Sequence, residues 1–245
     1  EVMHGKLCVR DVVSWTALIA GYAQQDQGHE ALKCFEEMKS DGVSPNSITF
    51  TFALKACSSC GDIAKGKQIH DEIASRGFLE RDIMLATALV DMYAKCGVFA
   101  KAREVLREIP IRNVITWNAL IAGYTYYGHG HEAFNCLEQM QSEGLSPDVV
   151  TFICILKACG TIGAVDIGKQ IHNEIVSKGL MNASPALGNS LMDMYARCCR
   201  LIEAQQVHDH LHIRDVVSWS TLIAGYVQQG QDYEALNCFE SQMGV

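Results

Sequence analysis

The sequence predicts an all-α fold, a right-handed superhelical solenoid of helix-turn-helix repeats. Two observations predict it: the chain repeats itself with a fixed period, and apolar residues fall at helical spacing within each repeat. The segment Leu18–Tyr22 returns 102 residues later at Leu120–Tyr124 and again at Leu222–Tyr226. Such periodicity is typical of arrays in which each unit buries its apolar face by stacking on its neighbours. We therefore expect function to reside on a long surface and not in a single catalytic pocket.

Each repeat is predicted to contain two helices joined by a turn. In the first repeat, apolar residues recur at three-and-four spacing over residues 15–22 and again over residues 31–38, as on two amphipathic helices. The stretch Gln24–Gly28 separates these helices. Gly42–Asn46 closes the pair, because glycine ends a helix and Pro45 cannot continue it. The aromatic and Met residues of these stripes are expected in the core.

The 102-residue period divides into three segments. An opening pattern of an apolar residue, Thr or Ser, and an aromatic residue occurs three times within it, in degenerate form at the third opening, and separates segments of 35, 36 and 31 residues. The chain starts inside such a segment, so we expect it to be a fragment of a longer protein. Its N-terminus shows neither a signal peptide nor a transit segment.

Composition limits the possible classes of protein. Apolar residues make up 49% of the chain and charged residues 20%, which is enough for a continuous core. No apolar run is long enough to span a membrane, so no membrane partner is predicted. The net charge of −8 argues against gripping nucleic acid by bulk electrostatics, although a groove locally lined by Lys and Arg stays compatible with it.

Most of the 11 cysteines recur with the period. Cys34 returns as Cys136 and Cys238, Cys57 returns as Cys159, and Cys96 returns as Cys198. Cysteines that follow repeat position among Ala, Leu and Phe are predicted to be small buried hydrophobes. We expect reduced thiols and a reducing compartment.

The segment that begins Val-Val-Ser-Trp at Val12–Trp15 and ends Gly-Val-Ser-Pro-Asn at Gly42–Asn46 resembles the pentatricopeptide repeat family. Its alternation with a 36-residue segment carrying Leu54–Cys57 and Gly66–His70, and a 31-residue segment carrying Met92–Gly97, is similar to the plant subclass built of P, L and S repeats. The resemblance covers the whole chain. It implies P repeats at 12–46, 114–148 and, incomplete, 216–245; L repeats at 47–82 and 149–184; S repeats at 83–113 and 185–215; and the tail of an S repeat at 1–11. Tetratricopeptide repeats are the alternative, but they run 34 residues, lack this alternation and usually bind peptides.

The family resemblance implies binding of single-stranded RNA at one base per repeat. In this family the fifth and the last residue of a repeat specify the base, and we call these two residues the specificity pair. Thr with Asn implies adenine, and Asn with Asp implies uracil. The pairs implied for adenine are Thr16 with Asn46 and Thr87 with Asn113, and those implied for uracil are Asn118 with Asp148 and Asn189 with Asp215.

The second residue of each repeat is implied to pack against the plane of a base, and we call these residues the stacking residues. All are apolar: Val13, Ile48, Met84, Ile115, Val150, Ala186 and Val217. Taken without the resemblance, the same residues could instead start helices and pack against neighbouring helices.

The L repeats depart from the family pattern. Ile153 cannot form a hydrogen bond to a base, so Ile153 with Ser184 is predicted not to specify one. Thr51 with Asp82 would nominally suit guanine, but L repeats follow the pairing rule poorly. The predicted target is therefore 5′-A-n-A-U-n-U-3′, with the N-terminal repeats at the 5′ end. The thirteenth residues of the S repeats, Lys95 and Arg197, are candidate phosphate contacts, and their small number predicts a shallow salt dependence.

Catalytic and metal chemistry is not predicted for this chain. His70-Asp71-Glu72 and His172-Asn173-Glu174 match half of a zinc deaminase site, but no Pro-Cys-x-x-Cys follows, so packing or surface histidines are expected. Cys57 and Cys60 form a lone Cys-x-x-Cys pair without the second pair that zinc needs. We predict no metal, no cofactor and no enzyme activity.

The expected function is sequence-specific single-stranded RNA binding within an organellar RNA editing or processing factor. The family resemblance places the parent protein in the mitochondrion or the chloroplast. A protein-interaction scaffold that binds editing cofactors or peptides is the alternative, and the L repeats are the candidate docking sites for small editing cofactor proteins. Self-association through exposed ends of the solenoid is a further expectation.

Overall fold

The computed structural model describes residues 11–181 and 184–243, and this part of the chain is entirely helical with short connections. The predicted repeat tail at residues 1–11 lies outside the described residues except for Asp11. Fourteen α-helices are present in the described ranges: α1 Val12–Gln24, α2 Gly28–Ser40, α3 Ser47–Cys60, α4 Ile63–Ser75, α5 Ile83–Lys95, α6 Phe99–Glu108, α7 Val114–Tyr126, α8 Gly130–Ser142, α9 Val149–Ile162, α10 Val165–Ser177, α11 Pro185–Arg197, α12 Leu201–His210, α13 Val216–Gln228 and α14 Asp232–Met243.

The helices form two compact units, one ending at Gly123 and the other beginning at Tyr124. In the first unit, α1 packs against α2 and α3, α3 packs also against α4 and α5, and α5 packs against α6. In the second unit, α9 packs against α8, α10 and α11, and α11 packs also against α12 and α13. In these packing pairs an odd-numbered helix contacts its own hairpin partner and the next odd-numbered helix of the same unit. The predicted stacking of helical hairpins is confirmed within each unit.

Local capping explains where the odd-numbered helices begin. Asn46 precedes α3, and its side chain accepts a hydrogen bond from the amide of Thr49, while the Thr49 side chain caps the Asn46 amide in return. Asp148 and Thr151 form the same capping box at α9. A capping box satisfies two amides that an isolated helix start leaves without partners. The last residue of a predicted repeat is therefore the N-cap of the next odd-numbered helix.

A glycine brings two odd-numbered helices of the first unit close together. A Cβ built on Gly123 of α7 would lie 2.6 Å from the Cβ of Ala94 on α5 and 3.1 Å from the Ala94 carbonyl oxygen. Gly225 on α13 is also crowded, since a Cβ there would lie 2.8 Å from Leu201 Cδ2 and 3.0 Å from the Cβ of Ala196 on α11. The contact at Gly123 is shorter than real Cβ atoms show, so Gly123 permits the spacing of α5 and α7.

The described cysteines are free thiols, as the repeat pattern predicts. Cys57 and Cys159 are fully buried. Burial is the largest cause that raises the pKa of each of these two thiols to about 12. Cysteines in this setting act as small core residues and have little thiolate character.

His208 on α12 is a buried titratable group without a hydrogen-bond partner at either ring nitrogen among the described residues. Its ring packs edge-on against Trp219, with the ring centroids 4.3 Å apart. Burial, reinforced by the positive charge of Arg214, lowers the pKa of His208, while Asp209, with Oδ1 3.7 Å from Nδ1, opposes that shift. The lowered pKa favours the neutral form of this ring in the folded protein.

We expect His208 to make folding sensitive to acid. In the unfolded chain its pKa lies near the ordinary value of about 6.5, so the unfolded state takes up the proton first as pH falls. The stabilisation present above that pH is then lost as pH falls below it. Chemical denaturation at pH 7.5 and pH 5.5 should show a smaller loss of stability for His208→Leu than for the unchanged protein. His210→Leu, at an exposed position of the same helix, should lose as much stability between pH 7.5 and pH 5.5 as the unchanged protein does. An equal loss in the His208→Leu protein would contradict this origin of the acid sensitivity.

Candidate nucleic-acid interface

The stacking residues are exposed on the first turns of the odd-numbered helices. Their exposed fractions run from 52% at Val150 to 69% at Val13, and Ala186 is also exposed. Large apolar side chains at equivalent exposed positions form a recurrent surface feature in each unit. The exposed residues of this set are Val13, Ile48, Met84, Ile115, Val150 and Val217. If these side chains only packed against neighbouring helices, they would be buried in the core. They are instead exposed.

The first specificity pair surrounds a single hydroxyl group. Thr16 Oγ1 on α1 lies 2.6 Å from Thr49 Oγ1 on α3. The Thr49 hydroxyl also donates to Asn46 Oδ1 at 2.9 Å, and the same oxygen accepts from the Thr49 amide at 2.9 Å. Thr16 and Asn46, the fifth and the last residue of one predicted repeat, are thus joined through the third residue of the next. The Thr16 residue is only 9% exposed, so this link holds it further from solvent than the sequence predicts.

The same arrangement recurs between α5 and α7 within the first unit. Thr87 Oγ1 lies 2.8 Å from Thr116 Oγ1. Asn113 Oδ1 accepts from both the hydroxyl and the amide of Thr116, each at 2.9 Å. Here Thr87 and Asn113 are both half-buried. The two pairs predicted to specify adenine therefore share one geometry.

Aspartates replace asparagine in the pairs predicted for uracil. Asp148 Oδ1 accepts from the amide and the hydroxyl of Thr151, both at 2.9 Å, and the Asp148 side chain is exposed. Asp215 Oδ1 accepts from the amide of Ser218 at 2.8 Å and lies 3.5 Å from Asn189 Nδ2. Asn118 belongs to the first unit and is 7% exposed. At Asp215 the carboxylate has a second oxygen that can accept a further hydrogen bond.

The pairs of the two predicted L repeats have no hydroxyl at the third position that follows them. Thr51 donates its hydroxyl hydrogen to the carbonyl of Ser47 on its own helix. Asp82 accepts from the amides of Met84 and Leu85, and the third residue that follows it, Leu85, has no hydroxyl. In the second predicted L repeat, Ile153 is half-buried and Ser184 makes no side-chain cap to α11. The third residue that follows this pair is Leu187. These two pairs therefore differ from the others in local chemistry as well as in sequence.

Sequence analysis missed the third-residue hydroxyls as functional groups. The hydroxyls of Thr49, Thr116 and Thr151 donate to the side-chain oxygen of the preceding N-cap residue, whereas the Ser218 hydroxyl donates to the backbone carbonyl of Asp215. The signal was visible, because Thr or Ser follows every pair of the predicted P and S repeats whereas Leu follows both pairs of the predicted L repeats. The pattern marked the repeat openings and was not connected with the specificity pairs.

The candidate phosphate contacts form ion pairs on their own helices. Lys95 Nζ lies 2.7 Å from Asp91 Oδ2, and Arg197 Nε lies 2.7 Å from Asp193 Oδ2. Both pairs are exposed and four residues apart, so each contributes only a few tenths of a kcal/mol, ~0.3–0.5. Arg197 also borders a groove of about 400 Å³ between α11 and α13, together with Val217 and Gln228. A phosphate at either cation would compete with an aspartate.

The two histidines of the deaminase-like half motif belong to helix packing. His70 Nδ1 lies 3.0 Å from Tyr93 Oη, and His172 Nδ1 lies 2.9 Å from Tyr195 Oη. The first pair joins α4 to α5, and the second pair joins α10 to α11. Burial is the largest cause that lowers the pKa of both histidines. Among the described residues no group of three or more His, Cys, Asp or Glu side chains is placed to hold a metal ion.

The helices in the described part of the chain are short for a membrane span. None of them combines the length and the apolar character needed to cross a bilayer.

Family models identify the repeat. Those of the PPR repeat match residues 10–59, 112–161, 86–114, 189–216 and 217–241, which is more than half of the chain. The chain belongs to the pentatricopeptide repeat family. Its fold class, an all-α repeat solenoid, is that of a solved structure, the pentatricopeptide repeat protein PPR10 in complex with an 18-nt psaJ RNA element. That structure matches with a TM-score of 0.76 and 25% identity, over 96% of this chain and 36% of PPR10.

Relatives in Arabidopsis thaliana are similar over nearly the whole chain. A putative mitochondrial pentatricopeptide repeat-containing protein is 38% identical over 230 residues, 94% of this chain and 36% of its own length. The chloroplastic pentatricopeptide repeat-containing protein CRR2 is 37% identical over 240 residues, 96% of this chain and 36% of its own length. The chain thus spans about a third of the length of these relatives.

Proposed function

We propose that the chain is a sequence-specific single-stranded RNA-binding module that contacts one base per repeat. The observation that carries the proposal is the linked specificity pair: on α1 and α5 a fifth residue and the following N-cap converge on one hydroxyl, beside an exposed apolar stacking residue. Single-stranded RNA is recognised by contacts to unstacked base planes and by hydrogen bonds to base edges, and this surface offers both. The RNA in the PPR10 complex, a similar structure, supports the same ligand class.

The proposed division into P, L and S repeats assigns the bases. Thr16 with Asn46 and Thr87 with Asn113 take adenine, and the two pairs that combine Asn with Asp take uracil. The L repeats, whose pairs are followed by Leu instead of Thr or Ser at the third position, accept any base. The proposed target is 5′-A-n-A-U-n-U-3′. The relatives that carry mitochondrial or chloroplastic names support an organellar parent protein, and we propose RNA editing or processing as its role.

Binding of short RNAs tests this function. We expect fluorescence anisotropy to give a tighter dissociation constant for A-n-A-U-n-U than for U-n-U-A-n-A, by about tenfold or more, since each specific base contact contributes roughly a kcal/mol or more. Raising the salt concentration should weaken binding only slightly, because few phosphate contacts are proposed. The two candidate cations, Lys95 and Arg197, are already paired with aspartates. Equal affinities for the two RNAs would refute base-specific binding.

A further inference from the structure

We propose that the hydroxyls of Thr49 and Thr116 fix the order of donor and acceptor in the two Thr/Asn specificity pairs, and so make these pairs select adenine against guanine. The inference rests on the proposed function and deepens it. It makes Thr49 and Thr116 positioning residues, although each lies in the repeat after the one whose base it affects.

The direction of each hydrogen bond follows from the donors available. The backbone amide of Thr49 must donate, so the atom of Asn46 that it meets at 2.9 Å is the amide oxygen. The Thr49 hydroxyl lies 2.9 Å from that same oxygen, so its single hydrogen points there. Thr49 Oγ1 can then only accept from Thr16 at 2.6 Å, which makes Thr16 the donor of that bond.

This order leaves a defined pattern for a ligand. The Thr16 hydrogen is used, so Thr16 Oγ1 can offer an incoming base only lone pairs. Asn46 Oδ1 already accepts two hydrogens, so its Nδ2 group is left as a donor, and no partner of Nδ2 is present among the described residues. The same reasoning applies to Thr87, Asn113 and Thr116. Each pair presents one acceptor beside one donor.

Adenine complements this pattern and guanine opposes it. The Watson–Crick edge of adenine places a donor, the N6 amino group, beside an acceptor, N1. The same edge of guanine places an acceptor, O6, beside a donor, the N1 hydrogen. The third-residue hydroxyl keeps the Thr side chain as the acceptor and the Asn side chain as the donor. Guanine O6 would then face the Thr acceptor, and the guanine N1 hydrogen would face the Asn donor, so both hydrogen bonds would be lost. Without that hydroxyl, the Thr16 hydrogen is free to rotate towards O6.

The test measures base preference one position at a time. The 245-residue chain and its variants are titrated against A-n-A-U-n-U and against the same RNA with guanine at the first or the third base. We expect the unchanged protein to bind the RNA with adenine about tenfold more tightly than the RNA with guanine, at the first base and at the third base alike. Thr49→Val should reduce the preference at the first base to below about threefold and leave the third unchanged, and Thr116→Val should do the reverse. Thr49→Ser, which keeps the hydroxyl, should restore the preference.

The controls separate a positioning role from a structural one. A general loss of stability changes the affinity for both RNAs together and leaves their ratio constant. Thr161→Val makes the same chemical change where the hydroxyl donates only to the Lys157 carbonyl of its own helix, and should leave both ratios unchanged. If the unchanged protein shows no adenine preference, the proposed function and this inference both fail. If it does and Thr49→Val retains it, the inference alone is wrong.

Discussion

Replacing Thr16 by Asn together with Asn46 by Asp is expected to change the preferred first base from adenine to uracil. The double variant recreates the pair of Asn189 with Asp215, in which the carboxylate accepts from the amide of the third residue at 2.8 Å and caps the helix. An aspartate introduced in place of Asn46 can cap α3 in the same way, so the fold should tolerate the change. A shift from about tenfold preference for adenine to about tenfold preference for uracil would be a roughly 100-fold change in the ratio of dissociation constants.

The first proposed L repeat supplies the matched comparison for that double variant. Thr51→Asn gives this repeat the same combination, since Asp82 is already aspartate. Leu85 follows Asp82 and provides no hydroxyl. We expect anisotropy titrations to show no new base preference at the second nucleotide. A preference for uracil appearing there, or an unchanged adenine preference in the double variant, would contradict the assignment of these pairs.

Gly123→Ala is expected to destabilise the first unit by about 2 kcal/mol, within the usual range for overpacking a close contact. The added methyl group would lie 2.6 Å from the Ala94 Cβ and 3.1 Å from the Ala94 carbonyl, so α5 and α7 would have to separate. Backbone atoms cannot move aside as the end of a flexible side chain can. Urea denaturation followed by circular dichroism measures the change.

Gly21 offers the control for this substitution at the same repeat position. Among the described residues no atom lies within 4 Å of a Cβ built there. Gly21→Ala should therefore stabilise α1 by about 0.5–1 kcal/mol, because alanine favours the helix interior. If both substitutions change stability in the same direction and by similar amounts, the short contact to Ala94 does not limit the helix spacing.

Periodicity and local capping signals explain why the helical hairpins could be predicted. Asn46 and Asp148 precede Thr at N3, and glycines end the helices, so short stretches of sequence are enough to predict where the helices begin and end. The ion pairs of Lys95 and Arg197 could have been predicted in the same way. Asp91 and Asp193 stand four residues before them, a spacing that places side chains together on a helix.

The linked specificity pairs could not be predicted from sequence because they depend on tertiary distance. Thr16 and Thr49 are 33 residues apart, and their hydroxyls meet only because α1 and α3 pack side by side. A helical pattern indicates which residues share a face, but not that two hydroxyls on adjacent helices lie 2.6 Å apart. The burial of Thr16 has the same origin, and it was therefore missed as well.

The hydroxyl link has a consequence for protein engineering. Because the three side chains of the first linked pair come from both sides of the peptide bond between Asn46 and Ser47, the element proposed to select one base is a junction and not a repeat. A chimera joined at that bond would take the residues at positions 16 and 46 from one parent sequence and the residue at position 49 from another. Grafts that carry the first three residues of the downstream helix along with the upstream hairpin should transfer their base choice intact.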